Sequence, residues 1–91
     1  MVGITAWIPA ILNNYGHTLF LMGRVDDARN ALQKVVDVQP YYAEGHYNLA
    51  TLLEQIGQEE YALREYEHAA SLKPGLPGIN DRINQLKKRV V

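Results

Sequence analysis

Residues 14–40, NYGHTLFLMGRVDDARNALQKVVDVQP, decide how the rest of the chain is read, because their landmarks recur 34 residues downstream. Asn14, Leu19, Gly23, Ala28 and Pro40 reappear as Asn48, Leu53, Gly57, Ala62 and Pro74. Between them residue type is often kept: Tyr15 against Leu49, Gly16 against Ala50, Leu32 against Tyr66, Val35 against Ala69 and Val38 against Leu72. Five identities in 34 are few, but they fall on residues with structural tasks. A fixed period of this length marks a repeat array, in which each unit buries its apolar face on its neighbours.

Each copy reads as a helix, a turn and a second helix. In the first, Leu12, Tyr15, Gly16 and Leu19 give one apolar stripe on a helix from about Pro9 to Met22, with Pro9 suited to the first turn. Gly23 ends that helix in a left-handed conformation. Asp26 and Asp27 then favour the positive end of the next helix dipole and are placed to cap free amides. That second helix turns Ala28, Leu32, Val35 and Val38 inward before Pro40 stops it. The second copy follows the same plan, with helices over about 43–56 and 59–73 on either side of Gly57. Small residues at 16, 28, 50 and 62 let neighbouring helix backbones approach.

Residues 74–78, PGLPG, make a stiff turn into a last helix over about 79–90. It has Ile79, Ile83, Leu86 and Val90 on one side and polar residues elsewhere, the pattern of a cap with no further repeat to receive. The domain plan is thus one unit over 1–91: an N-terminal segment at 1–8, repeats at 9–42 and 43–76, and a capping helix at 77–91. Residues 1–8 are read either as the stub of a preceding repeat's second helix or as a short irregular segment. The first of these leaves an apolar edge at Ile4, Trp7, Ile8 and Ile11.

Composition excludes several classes. Nine Lys and Arg against ten Asp and Glu leave a net charge of −1, which argues against a dominant nucleic-acid or anionic-membrane contact. The opening MVGITAWIPAIL lacks a basic start and is far shorter than the roughly 20 residues of a membrane span, so neither signal peptide nor membrane insertion is expected. Without cysteine there is no disulfide framework or thiolate metal site, and a soluble, cytoplasmic chain is the default expectation.

The period of 34, the small residues Gly16 and Ala50, the turn glycines Gly23 and Gly57, Ala28 and Ala62, and the closing Pro40 and Pro74 together resemble the tetratricopeptide repeat family. Leu12 and His46 depart from it, standing where the family often has a bulky aromatic residue. The resemblance implies an all-α right-handed superhelix of about five helices in antiparallel pairs, whose first helices line a concave groove for a partner's peptide or helix. Carried over residue by residue, the groove positions are Asn13, His17, Phe20 and Leu21 from the first helix. Tyr47, Asn48, Thr51, Glu54 and Gln55 follow from the second repeat, and Asp81, Arg82, Gln85 and Lys88 from the cap. Asn13, Asn14 and Asn48 have amides able to read a peptide main chain, while Phe20 and Tyr47 offer rigid contact area. One subclass clamps the carboxylate of chaperone tails with two lysines, two asparagines and an arginine. Here Asn48 and Arg82 match, but Asn13, His17 and Gly78 hold the other places, which argues against that ligand.

No catalytic, cofactor or metal constellation emerges. His17, His46 and His68 are assigned to groove, core and outer helix, too scattered for one ion. Glu59, Glu60, Glu65 and Glu67 read as a solvated face, Ser71 lacks a base, and Lys87, Lys88 and Arg89 complement a helix C-terminus. The expected function is a non-enzymatic protein-interaction module, with peptide capture by Asn13, His17, Phe20, Tyr47, Asn48, Thr51, Gln55 and Arg82. The alternative is a scaffold, a homo-oligomer formed through the apolar N-terminal edge.

Overall fold

A computed structural model describes the backbone of residues 3–90 and the side chains of residues 9–90. Among the described residues five helices follow one another: α1 (Gly3–Leu21), α2 (Val25–Val38), α3 (Ala43–Gln55), α4 (Glu59–Leu72) and α5 (Ile79–Arg89). Helices α1 and α2 form one antiparallel pair and α3 and α4 the next; α3 also packs on α2 and α1, and α5 lies on α4. The stack measures 46 × 28 × 19 Å.

The two intra-repeat turns are built alike. Gly23 and Gly57 sit at φ +82° and +85°, where a side chain would be strained. Each ends its helix in a Schellman motif: Arg24 N–H donates to the Leu19 carbonyl at 2.9 Å, and Gln58 N–H donates to the Leu53 carbonyl at 2.9 Å. The acidic pair at the start of α2 does not cap it; Arg24 is the N-cap residue, with no side-chain cap, and its guanidinium instead meets Asp27 at 2.7 Å. Asp26 and Asp27 favour the helix dipole there without capping a free amide.

Close approach explains the small residues. A methyl group on Gly16 would come within 2.8 Å of the Leu32 side chain, and one on Gly45 within 2.7 Å of Val35 Cγ1. Around these contacts one core runs the length of the stack, from Leu19, Ala28 and Leu32 through Leu49, Leu52 and Tyr66 to Ile79, Ile83 and Leu86. Leu86 is wholly buried, which by area is worth about 1.5–3 kcal/mol and binds the cap to α4.

Three expectations at the N-terminal end change. Helix α1 begins at Gly3, so residues 3–8 continue it without a break, and Pro9 lies inside it, where the ring removes one helical hydrogen bond. The inward stripe of α1 is rotated: Pro9, Asn13, Gly16 and Leu19 are buried, whereas Leu12 is half-buried and Tyr15 exposed. On α2 it is Val36 that faces the core, and Val38 is exposed. Of the expected apolar edge, Ile4, Trp7 and Ile8 have side chains outside the described residues, and Ile11 is exposed.

Candidate functional site

Where α1 and α3 lie side by side, the stack opens into a cleft of about 270 Å³ lined by Asn13, Glu44, Tyr47, Asn48, Leu76 and Pro77. Its floor is an amide pair. Asn13 is buried on α1, and Asn48 Nδ2 donates to its Oδ1 at 3.0 Å across the repeat boundary. Tyr42 stands beside it, and burial together with the nearby Glu44 raises the pKa of its phenol. Asn48 retains a carbonyl oxygen and one N–H.

The walls are held by the second repeat. Tyr47 Oη donates to the Pro77 carbonyl at 2.9 Å, and its ring stands edge-on to Tyr66 at 5.7 Å. This ties the loop leading to α5 to the cleft. Glu44 accepts a hydrogen bond from Lys73 Nζ at 2.9 Å, which holds the Glu44 carboxyl below its usual range.

Beyond the cleft, Thr51 and Glu54 belong to one network. Thr51 Oγ1 donates to the Tyr47 carbonyl at 3.1 Å and lies 3.2 Å from Tyr66 Oη, which donates to Glu54 Oε1 at 3.0 Å. Burial and this donation push the Tyr66 hydroxyl up to about 12. Glu54 also receives Arg82 and Arg89 at 3.3 Å, so one carboxylate clamps two cap residues and a core tyrosine. Arg82 is therefore paired within the chain.

The structure thus brings Asn13, Tyr47 and Asn48 together at the cleft. Phe20 packs half-buried on the core, Thr51 lies in the Tyr66 network, and His17, Leu21, Gln55, Asp81, Gln85 and Lys88 are exposed away from the cleft lining. Asn14 is exposed as well. Glu44, Leu76 and Pro77 were not anticipated. Glu44 had a readable signal, being three and four residues before Tyr47 and Asn48 on one helix.

The histidines are also less scattered than their spacing implied. His46 is buried, with Nε2 donating to the Pro40 carbonyl at 2.7 Å and Nδ1 2.7 Å from Glu65 Oε1. The His68 ring lies against it, with centroids 4.0 Å apart. Among the described residues no helix is long and apolar enough to cross a membrane.

Comparison with known proteins follows this geometry. The family model described as tetratricopeptide repeat matches residues 7–73. A solved structure titled as the first TPR of Spaghetti (RPAP3) bound to the HSP90 peptide SRMEEVD is similar with a TM-score of 0.50 and 14% identity, covering 99% of this chain and 98% of that one. At that identity the likeness concerns the fold. No curated protein matches the chain.

Proposed function

The chain belongs to the tetratricopeptide repeat family, and from that premise we propose that it is a protein-interaction module whose concave cleft takes an extended peptide or a helix of a partner protein. The observation that carries this is the state of Asn48: its amide faces the cleft with one acceptor and one donor left, the complement of a peptide unit's N–H and C=O. Leu76, Pro77 and the Tyr47 ring supply apolar contact beside it. The structurally similar chain is titled as bound to a peptide, which supports the general mode.

The charges around the cleft narrow the ligand. Lys73 is engaged by Glu44, and Arg82 and Arg89 by Glu54, so the nearby cations have acidic partners in the chain itself. An acidic tail would have to displace those carboxylates. The proposed ligand is therefore a neutral or basic segment with an apolar side chain, recognised mainly through its backbone.

Peptides selected from a random display library and titrated calorimetrically test the reading. Asn48→Ala is expected to weaken binding by about 10-fold or more, the loss of roughly 1.4 kcal/mol. Selected peptides that bind wild type and Asn48→Ala equally would show that the cleft is not the site. The second reading, a scaffold that self-associates through its N-terminal edge, is favoured by the exposure of Ile11 on α1.

A further inference from the structure

Helix α1 differs chemically from the rest of the stack. From Met1 to Met22 there is no Asp, Glu, Lys or Arg; every one lies from Arg24 onward. On α1 Ile11 and Tyr15 are 58% and 57% exposed, and Met22, which follows the helix and still donates to the Thr18 carbonyl, is 64% exposed. With Thr18, also exposed, they form one stripe at spacings of four, three and four.

The repeat period says what such a stripe is for. Thirty-four residues on, the same positions are Gly45, Leu49 and Leu52 of α3 and Ile56 at its C-terminal cap. Leu49 and Leu52 are 2% and 0% exposed, and Gly45 lies against Val35 and Val36 of α2. The face that receives a helix in the second repeat is therefore bare in the first.

The other end of the stack restricts what a second copy can bring to it. Helix α5 closes that end and leaves Asp81, Arg82, Lys87, Lys88 and Arg89 exposed, so head-to-tail stacking would desolvate these charged groups against a helix that carries none to complement them. Of the two ends of the stack, only the α1 end of a second copy is uncharged, and a contact between two such ends is isologous and closed. The stripe suits this. Its spacing reads the same in both directions, so an antiparallel neighbour sets Ile11 opposite Met22 of the partner subunit and Tyr15 opposite Thr18 of the partner subunit, large against small. The contact spans about three turns, roughly 16 Å of helix, and no charge on α1 opposes it.

We infer that two copies of this chain pair through α1, antiparallel, about a two-fold axis passing between Tyr15 and Thr18. The inference rests on the self-association reading and is independent of the cleft. Light scattering coupled to size exclusion, from micromolar to millimolar chain, should give twice the 10.3 kDa chain mass. Tyr15→Glu and Ile11→Lys should each halve that mass with helix content unchanged by circular dichroism, since both residues are exposed. Met22→Glu added to Ile11→Lys should restore the dimer, because the two introduced charges meet across the axis. Lys88→Glu on the cap should leave the mass as it is. A monomer at every concentration overturns self-association itself and leaves the face to a preceding repeat of a longer chain or to a foreign helix. A dimer indifferent to Tyr15→Glu and Ile11→Lys keeps self-association but overturns the α1 pair. Failure of the double variant to restore the dimer overturns the antiparallel arrangement, and a mass that grows without limit overturns the closed axis.

Discussion

The two repeats share a turn, a set of small residues and a helix pair, yet they are fastened differently. Repeat 2 is enclosed: α2 covers one side of α3, α4 the other, and α5 closes the far side of α4. Its helices are also joined by polar contacts, Tyr66 to Thr51 and Glu54 and His46 to Glu65. Repeat 1 has Leu32 where Tyr66 stands, Phe20 where Glu54 stands and Leu12 where His46 stands, and one side of its α1 is open. The period therefore encodes how a helix lies on its mate. How much each position weighs depends on what lies on its other side.

That difference can be broken by paired substitutions at equivalent positions. The largest contrast is Leu52→Ala against Thr18→Ala. Leu52 is fully buried and its truncation should cost about 2–5 kcal/mol, while the exposed Thr18 should change stability by less than about 0.5 kcal/mol in urea unfolding of dilute protein. Equal costs would mean that the open side of α1 is covered after all.

Next comes Tyr66→Phe, for which repeat 1 already holds the apolar answer in Leu32. Removing the hydroxyl should cost roughly 1–3 kcal/mol, because Glu54 and Thr51 lose a buried partner. It should also change the alkaline limb. The Tyr66 hydroxyl is raised from 10.0 to about 12 by burial, so the folded state holds its proton more tightly than the unfolded state. Its contribution is complete below the ordinary tyrosine value and is lost as pH rises through that window. The stability difference between wild type and Tyr66→Phe should therefore shrink there, which pH-dependent unfolding would show.

Smaller still is Glu54→Gln, which should loosen the hold on Arg82 and Arg89. With both arginines half exposed, the cost should be about 1 kcal/mol, seen as faster hydrogen exchange in α5 with α2 unchanged. Exchange that speeds equally in both helices would break the assignment of Glu54 to the cap.

The smallest effect belongs to Glu44 and Lys73, whose places in repeat 1 are taken by Ala10 and Gln39. The pair is exposed, so Glu44→Gln should cost about 0.2–1 kcal/mol and nothing in high salt. Lys73 lowers the Glu44 pKa, so the contribution is present above the ordinary carboxylate range and is lost as pH falls through the lowered value. Acid titration of wild type against Glu44→Gln checks the sign.

What was legible in the sequence follows from the same difference. Gly23 and Gly57, Ala28 and Ala62, and the four later helices were readable because they satisfy local constraints of turn and close packing. The phase of α1 was misjudged at Leu12 and Tyr15, since a helix without charged residues offers no solvated side against which to orient its apolar one. Pro9 suits a helix start by its fixed φ, yet the helical run holds across it from Gly3. At the cleft, Tyr47 and Asn48 were placed by register, but Leu76 and Pro77 come from a loop whose position depends on the Tyr47 hydroxyl. Nor does the pairing of Arg82 with Glu54, 28 residues apart, leave any trace in local pattern.

His46 has a mechanical consequence. One ring nitrogen holds the carbonyl of Pro40, the proline that closes the second helix of repeat 1, and the other faces Glu65 in the middle of α4. Apolar surfaces can slide over one another by small steps, but directional bonds on opposite sides of one ring resist both shear and twist. One buried side chain of α3 thus fastens the end of repeat 1 to α4 as well as to its own helix.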